Sequence, residues 1–371
     1  IKKHANGHYT LWVHIADVSH YVETGTALDK EAFSRATSVY FPDRAIPMLP
    51  YELSNDICSL KPNVDRLTLT AEMEFDKKGK GIGYKFYNSC IKSNERMTYT
   101  KVKEILTDNN PELCERYSEL MEDFKLMEEL SLLISNQRWE RGSIDFDLPE
   151  PQIILDIQGK PADIIKAERN IAHKIIEEFM IAANEAVASY ITSLEAPFIY
   201  RIHEEPDKDK IEDFTEVIRG FGLSVKRKEG LKPKTLQKIL EDVKQRPEER
   251  LVNHILLRSM KQARYSTENA GHFGLASENY THFTSPIRRY PDLAVHRILK
   301  MAMRKEGISE KEKEYLKEIL PETAKHSSER ERIAMEAERD VVNLFKINFM
   351  KEHIDEVYTG YISGVTAFGF F

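Results

Sequence analysis

The chain is poor in features that would narrow its class at once. Three cysteines, Cys58, Cys90 and Cys114, are scattered through 371 residues. They are too few for a disulfide framework, and their spacing offers no Cys-based zinc site. No stretch approaches the roughly 20 apolar residues that span a bilayer, and no secretory-leader pattern opens the sequence. A reducing, cytoplasmic setting with no membrane contact is the expectation. Twelve histidines show no metal-ligand spacing, and neither a P-loop nor a dinucleotide fingerprint occurs. Internal repeats and low-complexity segments are missing too. Hydrophobic residues make up 41% and charged residues 31%, a globular balance rather than a disordered or fibrous one. This length predicts two domains or one large one.

Positive charge is also in deficit. There are 54 Lys+Arg against 61 Asp+Glu, a net of −7. That argues against a protein coating nucleic acid with its whole surface, but leaves room for a local basic channel. The charge is uneven. Residues 104–150 hold 13 acidic and 4 basic side chains, whereas 251–305 hold 9 basic and 3 acidic, with four histidines. A positive stretch in a negative protein suits a polyanion site; it also suits a helix face turned to water.

The N-terminal part reads as β-rich. Residues 9–22 alternate, with Leu11, Val13 and Ile15 on one side. Further strands are predicted over 67–75 and 82–91, joined by a glycine-rich hairpin at 76–82. After Thr98 the pattern turns helical, first over 112–141. A hairpin at 153–165 turns through Gln158-Gly159-Lys160. Helices are predicted over 168–191, 208–219, 233–244, 248–263, 291–305 and 309–353, and strand returns at 358–371. Strands and helices mix without regular βαβ alternation, which favours α+β over a doubly wound sheet.

Several positions can carry chemistry. The string His282-Phe-Thr-Ser-Pro-Ile-Arg-Arg-Tyr-Pro-Asp292 places two hydroxyls, Thr284 and Ser285, and two guanidiniums, Arg288 and Arg289, before a helix start. A helix N-terminus suits an anion, and arginine offers a planar fork for phosphate oxygens. Asp292 can cap the helix or orient an arginine; a purely structural salt bridge is the plainer reading. In Gly142-Ser-Ile-Asp-Phe-Asp147, Asp145 and Asp147 can share a divalent metal, Phe146 can stack on a base, or the segment is an edge with a core phenylalanine. Of Glu177 and Glu178, one can face a site while the other is solvated. Tyr40, Phe41 and Tyr99 are core residues by default.

Longer strings in order go further. They include His14-Ile-Ala-Asp-Val-Ser19, Ser38-Val-Tyr-Phe-Pro42, Ile46-Pro-Met-Leu-Pro50, Leu53-Ser-Asn-Asp-Ile-Cys-Ser-Leu60, Leu257-Arg-Ser-Met-Lys-Gln262, Gly271-His-Phe-Gly274 and the 282–292 loop. With these the chain resembles the ribonuclease II / ribonuclease R family and looks closer to the ribonuclease R branch, over about residues 5–350. The resemblance implies an α+β fold of the RNB type, a twisted, mainly antiparallel sheet with surrounding helices, over 1–354. It implies a processive 3′→5′ exoribonuclease that releases 5′-mononucleotides with Mg²⁺, takes the 3′ end of single-stranded RNA, and degrades structured RNA from a 3′ overhang. Tyr40 matches the aromatic that stacks at the terminal nucleotide and Phe146 its partner, which shifts the 142–147 reading from metal to stacking. Tyr99 matches a tyrosine near the RNA path. Glu178 matches a carboxylate able to accept from a 2′-OH. Arg288 matches the arginine that braces the scissile phosphate, with Arg289 its neighbour. Glu338 matches a late glutamate near the catalytic centre.

One departure stands out. The family's metal-binding Asp-rich cluster precedes the first long strand, yet residues 1–8 hold no carboxylate. The expectation is that the cluster lies before Ile1, the alternative being a nuclease-inactive RNA-binding relative. Asp17 and Asp56 lie in matching strings and are read as structural. Residues 355–371 resemble the opening strands of an OB-fold RNA-binding module. Both ends thus read as cuts through a larger protein.

Overall fold

The structure is a computed structural model. It describes residues 1–146, 150–223, 232–360, 362, 365–366 and 368–370. The alternation of apolar side chains builds the central sheet. Strands β1 (Lys2–Lys3) and β2 (Tyr9–Ala16) come first. A small hairpin, β3 (Val39–Tyr40) and β4 (Ala45–Ile46), follows. Then come the long strands β5 (Asp65–Phe75) and β6 (Gly81–Lys92). The sheet has the order β1-β2-β5-β6, every pair antiparallel. Its register sets Leu11 against Met73, Val13 against Ala71 and Ile15 against Leu69. These six side chains are buried on one face.

Strand β2 stops at Ala16 rather than running on to 22. The last ladder bond runs from the Asp17 N–H to the Leu67 carbonyl, and the Asp17 carboxylate accepts from Ser19 and Lys300. The chain then turns into the short helix α1 (Val18–Tyr21). Helix α2 (Ala27–Arg35) and a wide helical turn at Glu52–Ile57 carry no clear sequence period. The expected 112–141 helix is interrupted. It follows α3 (Tyr99–Leu106) as α4 (Pro111–Arg116), a tight turn, and α5 (Met121–Arg141).

The hairpin of β7 (Pro151–Leu155) and β8 (Pro161–Lys166) repeats the turn chemistry of the β5–β6 connection. Asp76 Oδ1 accepts from the N–H groups of Lys78 and Lys80, and Asp156 Oδ1 from those of Gln158 and Lys160. Gly79 and Gly159 both take φ +79°, a left-handed conformation open to glycine.

Helix α6 (Ile171–Ser193) opens on an Asn170 cap. Then come β9 (Tyr200–Ile202), α7 (Lys208–Arg219), α8 (Pro233–Asp242), α9 (Glu249–Ser259) and β10 (Arg264–Ser266), which pairs with β9. Helix α10 (Tyr290–Ala302) follows the 282–292 loop, and α11 (Glu310–Lys351) starts on a Ser309–Glu312 capping box. The strands at Val365–Thr366 and Gly369–Phe370 form one small hairpin, and the described residues make no closed barrel.

Buried side chains of the sheet pack with α6, α10 and α11 in the main core. A second core joins α7, α8 and α9 to Ile144 and Phe273. A third joins α1 and α2 to Tyr290 and Leu293 of α10. The 282–292 loop lies between the first and third, so packing on both sides holds it. The class is α+β, as expected.

Candidate functional site

The 282–292 loop is organised from below by one face of α10. Asp292 is fully buried and accepts twice from Arg289, Nε to Oδ2 at 2.8 Å and Nη2 to Oδ1 at 2.7 Å. Its Oδ1 also accepts from the Ser285 N–H at 2.7 Å. One turn on, His296 Nε2 lies 2.8 Å from the Phe283 carbonyl. One turn further, Lys300 binds Asp17. Residues at i, i+4 and i+8 share a helix face, so α10 pins three points of the surroundings with one stripe.

The two arginines therefore differ. Arg289 is locked to Asp292. Arg288 is exposed, and its guanidinium makes no hydrogen bond or ion pair among the described residues. Its backbone is fixed instead: the Arg288 carbonyl accepts from the Ser38 N–H at 3.0 Å. Thr284 and Ser285 are half-buried beside it.

Behind the loop lies a layer of buried and half-buried rings. Tyr265 Oη is 2.9 Å from His282 Nδ1, and the rings of Tyr280, His272 and His203 continue edge to face. Burial, with Arg289 and Arg201 nearby, pushes His282 well below the ordinary imidazole range. Burial lowers His272 to about 3 and His296 to about 4. These imidazoles are neutral at pH 7, so they add no charge behind Arg288.

Ser38 links the loop to the β3–β4 hairpin that carries Tyr40. The Tyr40 ring is half exposed, and its N–H donates to Glu338 Oε1 of α11 at 2.6 Å. Arg288, Tyr40 and Glu338 are thus gathered in one neighbourhood from positions far apart in the sequence.

Phe146 belongs to a different core from the arginine loop. It packs on the second core and lines a cleft of about 980 Å³ with Trp139, Asp145, Lys166, Arg169 and Lys174. Among the described residues no ring contact joins it to Tyr40. Its segment is held by a buried ion pair. Arg138 donates to both Glu178 oxygens, at 2.8 and 2.7 Å, and to Ser143 Oγ at 3.1 Å. Burial opposes the charge on Arg138, but Glu178 outweighs it and keeps the guanidinium protonated. Gln237 adds a bond to the Ser143 carbonyl. Glu178 is only 5% exposed and each of its oxygens already accepts from Arg138, so little of the carboxylate is open to a 2′-OH. Glu177 lines the cleft and binds Arg169, which also holds Asp145. Tyr99 stacks on His173 at 3.9 Å between ring centroids, at the cleft's edge.

The described carboxylates do not assemble a metal seat. Among the described residues no group of three His, Cys, Asp or Glu side chains converges. Burial disfavours the Asp17 carboxylate, but the Lys300 and Ser19 hydrogen bonds overcome this and hold its pKa below the ordinary value. Asp56 is exposed and paired with Lys61, and Asp145 with Arg169. Asp147 lies outside the described residues. The partners Arg138, Lys300 and Arg169 carried no signal in the sequence, since the pairs lie 24 to 283 positions apart.

Comparison with known proteins places this arrangement. The RNB domain matches residues 1–305. Ribonuclease R of Aquifex aeolicus is 50% identical over 366 residues, 98% of this chain and 51% of that protein. Mycoplasma genitalium RNase R, solved in complex with ribose methylated single-stranded RNA, aligns with a TM-score of 0.91 at 32% identity, over 97% of this chain and 56% of that one. Yeast Ssd1, described as a pseudonuclease, aligns with a TM-score of 0.73 at 22% identity, over 91% of this chain and 41% of its own, and shows the fold alone. The chain spans about half the length of the curated relatives it matches. No helix among the described residues is long and apolar enough to cross a membrane. With the RNB match running from Ile1 through the arginine loop and α10, the chain belongs to the RNB domain family.

Proposed function

We propose that this chain is the catalytic region of a ribonuclease R-like exoribonuclease that degrades RNA processively from the 3′ end to 5′-mononucleotides. The observation that carries the reading is the division between the two arginines. Arg289 is spent on Asp292, whereas Arg288 is held by its backbone, unpaired, beside Tyr40. A free guanidinium offsets charge building on a phosphate under attack. A half-exposed tyrosine grips any base by its π-face, which suits a processive enzyme without sequence preference. Phe146 and Tyr99 line the further RNA path, and Thr284 and Ser285 offer hydroxyls beside the phosphate. The substrate is the 3′ end of single-stranded RNA, including a 3′ overhang on a structured molecule, and the setting is the cytoplasm. Glu178 acts through Arg138 and Ser143 on the Phe146 segment rather than on ribose.

The family's metal is Mg²⁺. The described residues do not fit it, because their carboxylates are ion-paired or apart. This chain's own contributions are grip, orientation and charge compensation. The same observation favours a second reading, a nuclease-inactive RNA-binding relative. Digestion of a 5′-labelled, 3′-tailed RNA with Mg²⁺ separates the two, using this chain beside a longer product that includes the residues encoded before Ile1. Shortening to a small end product with release of 5′-mononucleotides by the longer protein is the expected result. RNA bound by the longer protein and left intact would establish the inactive relative.

A further inference from the structure

We infer that Glu338 is a positioning residue for Tyr40: its carboxylate, reaching from α11, fixes the backbone of the aromatic hairpin and so the presentation of the ring. The inference rests on the stacking reading of Tyr40 and deepens it.

The β3–β4 hairpin has two residues in each strand. A hairpin that short has little stability of its own. Its side chains at Tyr40, Ala45 and Ile46 are exposed, so no core holds its tip, while Ala36 and Met48 on either side sit in the third core. What holds it is a small set of polar bonds. Ser38 Oγ accepts from the Met48 N–H at 2.8 Å, and the Ser38 N–H donates to the Arg288 carbonyl. Tyr51 Oη donates to the Ala45 carbonyl at 3.2 Å. At Tyr40 itself the bond is the one from its N–H to Glu338 Oε1, at 2.6 Å across 298 positions. A carboxylate accepting a backbone N–H is a charge-assisted bond, shorter and stronger than a neutral one.

Glu338 Oε1 is committed to the Tyr40 N–H. The bond ties three elements in sequence: α11 through Glu338 to Tyr40, and the same hairpin through Ser38 to Arg288. Moving the hairpin moves the ring relative to the guanidinium. The role is therefore one of reach: an amide oxygen at the same position can still accept the Tyr40 N–H, as a weaker, neutral bond.

Reach and charge can be separated. Glu338→Gln keeps an oxygen at the same reach and loses the charge. Glu338→Asp keeps the charge and withdraws it by one methylene. The probe is a single-stranded RNA with 2-aminopurine at its 3′ terminus, bound to the full-length protein in EDTA so that nothing is cleaved. Stacking on the ring quenches its fluorescence, and anisotropy confirms that the RNA is bound. Tyr40→Ala is expected to abolish the quench. Glu338→Ala and Glu338→Asp are expected to lose most of it, with Glu338→Gln close to the native protein. A native quench in Tyr40→Ala would sink the stacking reading itself. Loss in Tyr40→Ala with a full quench in Glu338→Ala would overturn the positioning role alone. So would the reverse order, with Asp native-like and Gln like Ala. Thermal melting of the Gln and Asp variants, expected to coincide, checks that both are folded.

Discussion

Phe146 and Tyr40 are held in opposite ways. The Phe146 segment is anchored from inside: a buried Arg138–Glu178 pair, Ser143, Gln237 and the second core fix it. The Tyr40 hairpin is anchored from outside, by a few polar bonds to α11 and the arginine loop. One aromatic is built into the fold and the other is attached to it. Buried charge is costly to unpair, whereas exposed polar bonds are worth little each to stability. Damage near Phe146 should thus register as lost stability, and damage near Tyr40 as altered function.

The largest expected effect tests the first half. Glu178→Ala leaves Arg138 buried without its partner and should cost roughly 3–5 kcal/mol in urea unfolding. Replacing both, as Arg138→Met with Glu178→Leu, should restore most of that stability, because an apolar pair of similar volume has no charge to strand. A small loss in Glu178→Ala would show that the segment is anchored some other way.

Acid should act on the same interior side. His296 is lowered to about 4 and His272 to about 3, both chiefly by burial. Below pH 6.5 the unfolded chain binds protons that the folded chain refuses. Stability is therefore full above that pH and is lost as pH falls toward about 4. The slope should approach about 1.4 kcal/mol per pH unit for each histidine. Replacing His296 with Gln should remove one such increment from the measured slope; an unchanged slope would mean that His296 is not held neutral.

The smallest stability effect belongs to the attached side. Tyr40→Ala should change the unfolding free energy by no more than about 0.5 kcal/mol, as exposed positions usually do. Its mark should be a longer final RNA product on a gel. An unchanged product would remove Tyr40 from the RNA grip.

What could be read from the sequence was local. The two Asp-x-x-Gly turns, the strand alternation around Leu11 and Leu69, and the long helices depend on neighbours in the chain. Asp292 with Arg289 was legible for the same reason, being three residues apart on a helix start. The bond from Tyr40 to Glu338 and the pair Arg138–Glu178 join positions 298 and 40 apart, and no spacing rule reaches so far. Charge contrast pointed at the stretch that holds both arginines but could not say which of them was free. That distinction came from burial of Asp292, a property of the folded core.

The most direct measurement compares the two arginines in the full-length protein. Arg288→Ala should lower kcat on single-stranded RNA about 10²- to 10³-fold, the scale for losing one donor to a developing anion, while RNA affinity and melting temperature barely move. Arg289→Ala should instead lower the melting temperature, because it strands Asp292 in the core. Near-normal turnover in Arg288→Ala would contradict the account.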